Sequence, residues 1–147
     1  MDEIISLNFD GGSRGNPGPA GIGIVLAAAD GTTLLTLGRF IGRATNNVAE
    51  YMALVTGLEQ AGRLGARRLS IHGDSELVIK QMRGEYRVRH PDLIPLHRKA
   101  SDLARKFEKV SYVHGRRHLN SDADNLANLA MDKKCDVDED GNPITNL

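Results

Sequence analysis

The chain has 147 residues, with 19 Lys and Arg against 19 Asp and Glu, and 40% hydrophobic against 26% charged residues. That balance describes one globular domain with a buried core, and no apolar stretch approaches the ~18 residues a membrane span needs. The lone Cys135 excludes an internal disulfide and a cysteine-based metal site, and Met1-Asp2-Glu3 opens no basic leader, so the expectation is a reducing, cytoplasmic setting.

Ile5, Leu7 and Phe9 alternate with Ser6 and Asn8, which predicts a strand ending at Asp10. Four glycines and two prolines between Gly11 and Pro19 predict a turn-rich loop. The apolar run from Ala20 to Ala29 predicts a buried strand, Asp30-Gly31 a hairpin turn, and Thr32 to Ile41 a third strand. The period then changes. Val48, Tyr51, Met52, Val55 and Leu58 form the stripe of an amphipathic helix that Thr45 or Asn46 can cap. Leu69, Ile71 and Gly73 predict a fourth strand ending at Asp74. Ser75 can then cap a short helix through Met82, closed by Gly84. A further helix fits Leu93 to Phe107, a fifth strand Val110 and Tyr112, and a last helix Ala123 to Ala130.

The order β-β-β-α-β-α-α-β-α predicts an α/β domain with a five-stranded mixed sheet over residues 1–134. Residues 135–147 carry four acids and few apolar anchors, and read as a flexible acidic tail. Nothing in the pattern demands a dimer, and a monomer is expected.

The charge balance conceals an uneven distribution. Residues 1–59 carry net −3, residues 60–120 net +8, and residues 121–147 net −5. A basic middle between acidic ends fits a polyanion partner beside a cation site, although solvated helix faces give the same pattern. Asp10 and Asp74 are expected at the carboxyl ends of strands, Glu50 in the first turns of the long helix, and Asp124 in the first turn of the last. Ligands and functional groups gather beyond such strand ends. Taken singly, each acid reads as an ordinary surface or capping carboxylate. Together they make an oxygen-only set suited to Mg²⁺, with Mn²⁺ as substitute. Two such ions roughly 3.5–4 Å apart can hold an attacking water and a leaving oxygen in line across phosphorus.

Four segments resemble type 1 ribonuclease H in the family's order, over about residues 4–133. They are Asp10-Gly11-Gly12-Ser13-Arg14-Gly15-Asn16-Pro17-Gly18-Pro19-Ala20-Gly21, Thr45-Asn46-Asn47-Val48-Ala49-Glu50-Tyr51, Asp74-Ser75 with Leu77-Val78, and His114 to Asn120 with Ala123-Asp124 and Leu126-Ala127. The resemblance implies an endonuclease that hydrolyses the RNA strand of an RNA–DNA hybrid with divalent metal, leaving 5′-phosphate and 3′-hydroxyl ends. It implies metal-binding roles for Asp10, Glu50, Asp74 and Asp124, the four acids that placement also selects. It implies a proton-handling or product-releasing His114, with Arg117 as the other candidate in that loop. Substrate contacts are expected from Gly11, Gly12, Gly15, Asn16, Arg43, Thr45, Asn46, Asn47, Ser75 and Asn120. Asn16, Arg43 and Thr45 would hold a phosphate of the DNA strand, while Asn46 can equally be a plain helix cap.

Two departures from the family stand out. Gly115 and His118 replace the usual valine and glutamate. The long Trp-containing basic protrusion is also missing, leaving Lys80, Arg83, Arg87, Arg89, Arg98 and Lys99 as a compact basic face with Tyr86 as a stacking candidate. The alternatives are a non-catalytic hybrid-binding module, or a related nuclease with another nucleic-acid substrate. An ATP-binding domain of the actin or sugar-kinase type needs two large domains, which 147 residues cannot supply.

Overall fold

The computed structural model describes residues 2–115 and 118–144. Strands β1 (Ile4–Ser13), β2 (Gly18–Ala27) and β3 (Thr33–Ala44) form an antiparallel meander. β4 (Arg68–Gly73) and β5 (Lys109–His114) add in parallel on the other side, giving the sheet order β3-β2-β1-β4-β5. Helices α1 (Asn46–Arg63), α2 (Glu76–Met82), α3 (Ile94–Ala104) and α4 (His118–Lys133) complete the expected element order.

Three boundaries correct the sequence reading. β1 does not stop at Asp10: Gly11, Gly12 and Ser13 stay paired with Ile22, Gly21 and Ala20, so the expected loop shrinks to residues 14–17. Ladder bonds to β2 outweigh the poor strand propensity of glycine there. α4 begins at His118, so Asp124 is its seventh residue and not in its first turn.

The third correction concerns the tail. Val137 is fully buried and exchanges two backbone hydrogen bonds with Gly38, and Asp136 pairs with Arg39 at 3.6 Å. The segment from 135 to 144 therefore packs along the β3 edge and α4. Val137 seated against Gly38 is its buried anchor, with Ile144 packed on the main core and Lys133 donating to the Gly141 carbonyl, contacts that composition alone does not signal.

β1 is central, and its two faces meet different helices. Ile5, Leu7 and Phe9 are buried with Tyr51, Leu54 and Leu58 of α1 in the main core. On the other face a smaller core joins Val25, Ala123, Leu126, Ala130 and Val137. No helix among the described residues is long and apolar enough to cross a membrane.

Replacing Val137 with alanine removes two buried methyl groups and should lower stability by about 2 kcal/mol in urea unfolding. A loose tail would give no measurable change.

Candidate active site

The site is assembled by two glycines that let helix backbone touch the sheet. A Cβ on Gly11 would lie 2.3 Å from the Ala49 carbonyl oxygen and 2.7 Å from the Glu50 nitrogen, so only glycine lets the start of α1 come this close. Thr45 fixes that start, its Oγ1 accepting from the Val48 N–H at 3.2 Å. β4 ends at Gly73, opposite Phe9, so beyond that point β1 has no strand on that side. Glu50 fills the gap: its Oε1 accepts from the Gly11 N–H at 2.5 Å, and Glu50 is only 8% exposed.

The second contact brings in α4. Asp10 pairs across the ladder with Gly23, where a Cβ would lie 1.9 Å from the carbonyl oxygen of Ala123. With α4 seated on Gly23, the next residue, Asp124, comes to Asp10. Asp74 arrives from the first position after β4. Its Oδ1 accepts from Asn120 Nδ2 at 3.2 Å, and its backbone oxygen accepts from His114 Nε2 at 3.1 Å.

These four acids repel one another. Burial, then the Glu50 charge, then a hydrogen bond and charge from Asp124 and the charge of Asp74, push Asp10 up to about 9. Burial, with the charges of Asp74 and Asp124, lifts Glu50 to about 7 against the pull of the Gly11 N–H and of Asp10. Protons do part of the work here that cations do in an oxygen-only site. Among the described residues no three Asp, Glu, His or Cys side chains are already arranged to hold a metal ion. The donor set nonetheless fits a hard divalent cation, since all four donors are carboxylates and entry of positive charge relieves their repulsion.

Comparison with known proteins identifies the fold and the family. The reverse transcriptase-like family profile matches residues 8–130. A bifunctional protein of Mycobacterium tuberculosis is 50% identical over 129 residues, 87% of this chain but 35% of its own length. Its N-terminal RNase H domain has been solved and superposes with a TM-score of 0.86 at 48% identity, covering 90% of this chain and 96% of that one. RNase H1 of Halobacterium salinarum gives 0.85 at 45% identity, covering 88% and 98%. LC11-RNase H1, solved in complex with RNA/DNA hybrid, gives 0.83 at 40% identity, covering 88% and 98%.

The chain belongs to the type 1 ribonuclease H family. It spans about a third of the length of the mycobacterial protein it matches.

Around the acids, the residues that the ribonuclease H resemblance marks for substrate occupy several different settings. The Gly11 N–H is taken by Glu50, and Ser75 Oγ caps α2 by accepting from Val78 N–H at 3.2 Å. Asn16, Thr45, Asn46 and Asn47 line a cleft of about 370 Å³ with Val48, His90, Asp92 and Leu93. The Asn16 and Asn46 side-chain oxygens are braces there: Asn16 accepts from the Asn46 N–H at 3.0 Å, and Asn46 from the Ser13 N–H at 2.8 Å. Gly12 directly precedes Ser13 at the end of β1, and Gly15 directly precedes Asn16 at φ +100° in the turn. Arg43 is exposed near the end of β3 and does not line the cleft.

Asn120 corrects its expectation. It is 1% exposed and turned to Asp74 and Gly115, not outward to a substrate. Arg117 lies outside the described residues. His90 was missed by sequence reasoning. Its Nδ1 accepts from the Asp92 N–H at 3.1 Å, so in the neutral ring Nε2 carries the proton. The His-Pro-Asp turn at 90–92 was the available signal.

The sign of the pH dependence follows from the raised values. Asp10 and Glu50 bind protons more tightly folded than unfolded, where 3.8 and 4.5 are usual. Their contribution is therefore full below about pH 4 and lost as pH rises through about 7 and then about 9. In chelator, the wild-type Tm should fall across that window, and Asp10→Asn should flatten the fall. A wild-type Tm that falls no more steeply than that of the variant contradicts the repulsion.

Proposed function

We propose that this chain is an endoribonuclease that hydrolyses the RNA strand of RNA–DNA hybrids in a metal-dependent reaction of the two-metal type, leaving 5′-phosphate and 3′-hydroxyl ends. It acts as a cytoplasmic monomer. The observation that carries this reading is the convergence at Asp10 of three acids from other segments: Glu50 held on the Gly11 N–H, Asp124 following the Ala123 carbonyl packed on Gly23, and Asp74 just beyond β4. The hybrid held by LC11-RNase H1, a relative at 40% identity, supports the substrate class.

Asp10, Glu50, Asp74 and Asp124 would hold Mg²⁺, or Mn²⁺ in its place. The chemistry that divalent cations supply in such a site is a lowered pKa for water and neutralisation of charge at the phosphorus. The chain's own residues set the geometry. The Gly11 N–H orients the Glu50 carboxylate. His114 is exposed, and its Nε2 donates to a carbonyl oxygen, which can only accept. Its Nδ1 is then the atom that takes or gives a proton at the leaving 3′-oxygen.

Recognition divides between two surfaces. The cleft of Asn16, Thr45, Asn46, Asn47 and His90, flanked by Arg43, offers neutral donors to a DNA-strand phosphate and to the 2′-hydroxyls that distinguish RNA. The compact basic face is partly committed within the protein. Lys80 pairs with Glu76 at 2.9 Å and lies 5.0 Å from the Tyr86 ring centre, and Arg83 donates to the Tyr112 carbonyl. Arg87 and Arg98 share a cleft of about 350 Å³ with the exposed Tyr86, and are the cations best placed to meet phosphate.

On a labelled hybrid in Mg²⁺, Asp10→Asn and Glu50→Gln should lower cleavage on the order of a thousandfold or more, with hybrid affinity retained. Cleavage unchanged in Asp10→Asn overturns the reading, and a wild type that binds hybrid without cutting it is a binding module. Arg87→Ala should make the log affinity against log salt slope shallower by about 1. An unchanged slope removes Arg87 from the phosphate contacts.

A further inference from the structure

We infer that Asn120 is a positioning residue, a buried amide that locks the Asp74 carboxylate to the turn after β5 and so sets where Asp74 and His114 stand relative to one another. The inference rests on the nuclease reading and goes beyond it.

Asn120 lies in the first turn of α4, four residues before Asp124, and is 1% exposed. Its Nδ2 carries two hydrogens and reaches two acceptors: Asp74 Oδ1 at 3.2 Å and the Gly115 carbonyl at 3.1 Å. Both partners only accept, so the NH₂ end of the amide must face them. Its Oδ1 is left buried without a partner among the described residues, which a side chain kept only for packing would not require.

The clip closes a small circuit. Gly115 is held from its other side by its N–H, which donates to Gly73 O at 3.2 Å, one residue before Asp74. His114, its neighbour, donates to the Asp74 backbone oxygen at 3.1 Å. Gly115 takes φ +153°, which few other residues adopt, so this turn suits a glycine. One amide thus joins the end of β4, the turn after β5 and the start of α4. It holds a carboxylate whose charge bears on Asp10 and Glu50. Hydrogen bonds of this kind orient ligating carboxylates, and their loss commonly costs 10–100-fold in metal affinity or activity.

The test compares wild type with Asn120→Ala in two assays. In hybrid cleavage, kcat should fall about tenfold or more with KM within about twofold. In a Mg²⁺ titration without nucleic acid, read by thermal shift, the midpoint should rise about tenfold or more. A raised KM with kcat unchanged makes Asn120 a substrate contact, and a lowered Tm with both readouts unmoved makes it merely structural. Either result overturns the inference. If the variant does not fold, NMR of the wild type decides: the Asn120 side-chain NH₂ should be protected from exchange and shift as Mg²⁺ is added. A freely exchanging, Mg²⁺-insensitive NH₂ overturns the inference. If the wild type folds and binds Mg²⁺ but cuts no hybrid, the nuclease reading fails, while the metal and NMR readouts still decide the role of Asn120.

Discussion

Four carboxylates brought to one end of a sheet must be held there against their own charge, and the rest of the architecture answers to that demand. The main core and the small-residue contacts supply the holding force. Ile5, Leu7 and Phe9 lock β1 to α1, and Gly11 lets the helix start close on the strand until Glu50 meets a backbone N–H. On the opposite face Gly23 admits the Ala123 carbonyl, and Asp124 follows. Packing sets the positions, and electrostatics then determines what the positions cost. Asp10 and Glu50 keep protons at pH values where exposed carboxylates have lost them, so the site stores unfavourable charge that a cation can relieve.

The polar residues around the acids serve mainly to orient. Thr45 and Ser75 cap the helices that follow them, and the Asn16 and Asn46 side chains tie the 14–17 turn to the start of α1. These bonds stiffen the rim of the cleft that also contains His90. They leave the amide nitrogens of Asn16 and Asn46 as the groups with hydrogens to offer a ligand. A rim braced from within binds with less ordering cost than one that must organise around its partner.

Much of this was legible in the amino-acid sequence because period and position carry it. The alternation of Ile5, Leu7 and Phe9 and the stripe from Val48 to Leu58 each have one simple structural meaning, whereas the four acids stand out only in combination, each singly reading as a surface or capping carboxylate. The illegible parts depend on contacts between distant segments. Gly11 to Ser13 look like a loop by composition, yet pairing with β2 keeps them in the sheet. Val137 looks like part of an acidic tail until Gly38 receives it. Asn120 looks like an exposed amide in a polar stretch, and only the convergence of β4, the turn after β5 and α4 buries it. His90 gave no periodic signal, because its place in the cleft comes from α3 packing against α1.

The central claim is that protons and divalent cations compete for the same carboxylates. Calorimetric titration of Mg²⁺ into the free protein at pH 7, repeated in buffers of different ionisation enthalpy, counts the protons displaced. Asp10, with its value near 9, predicts release of about one proton per protein, with a fraction more from Glu50 near 7, and about one proton fewer from Asp10→Asn. Binding of Mg²⁺ by the wild type with no proton release would contradict the account.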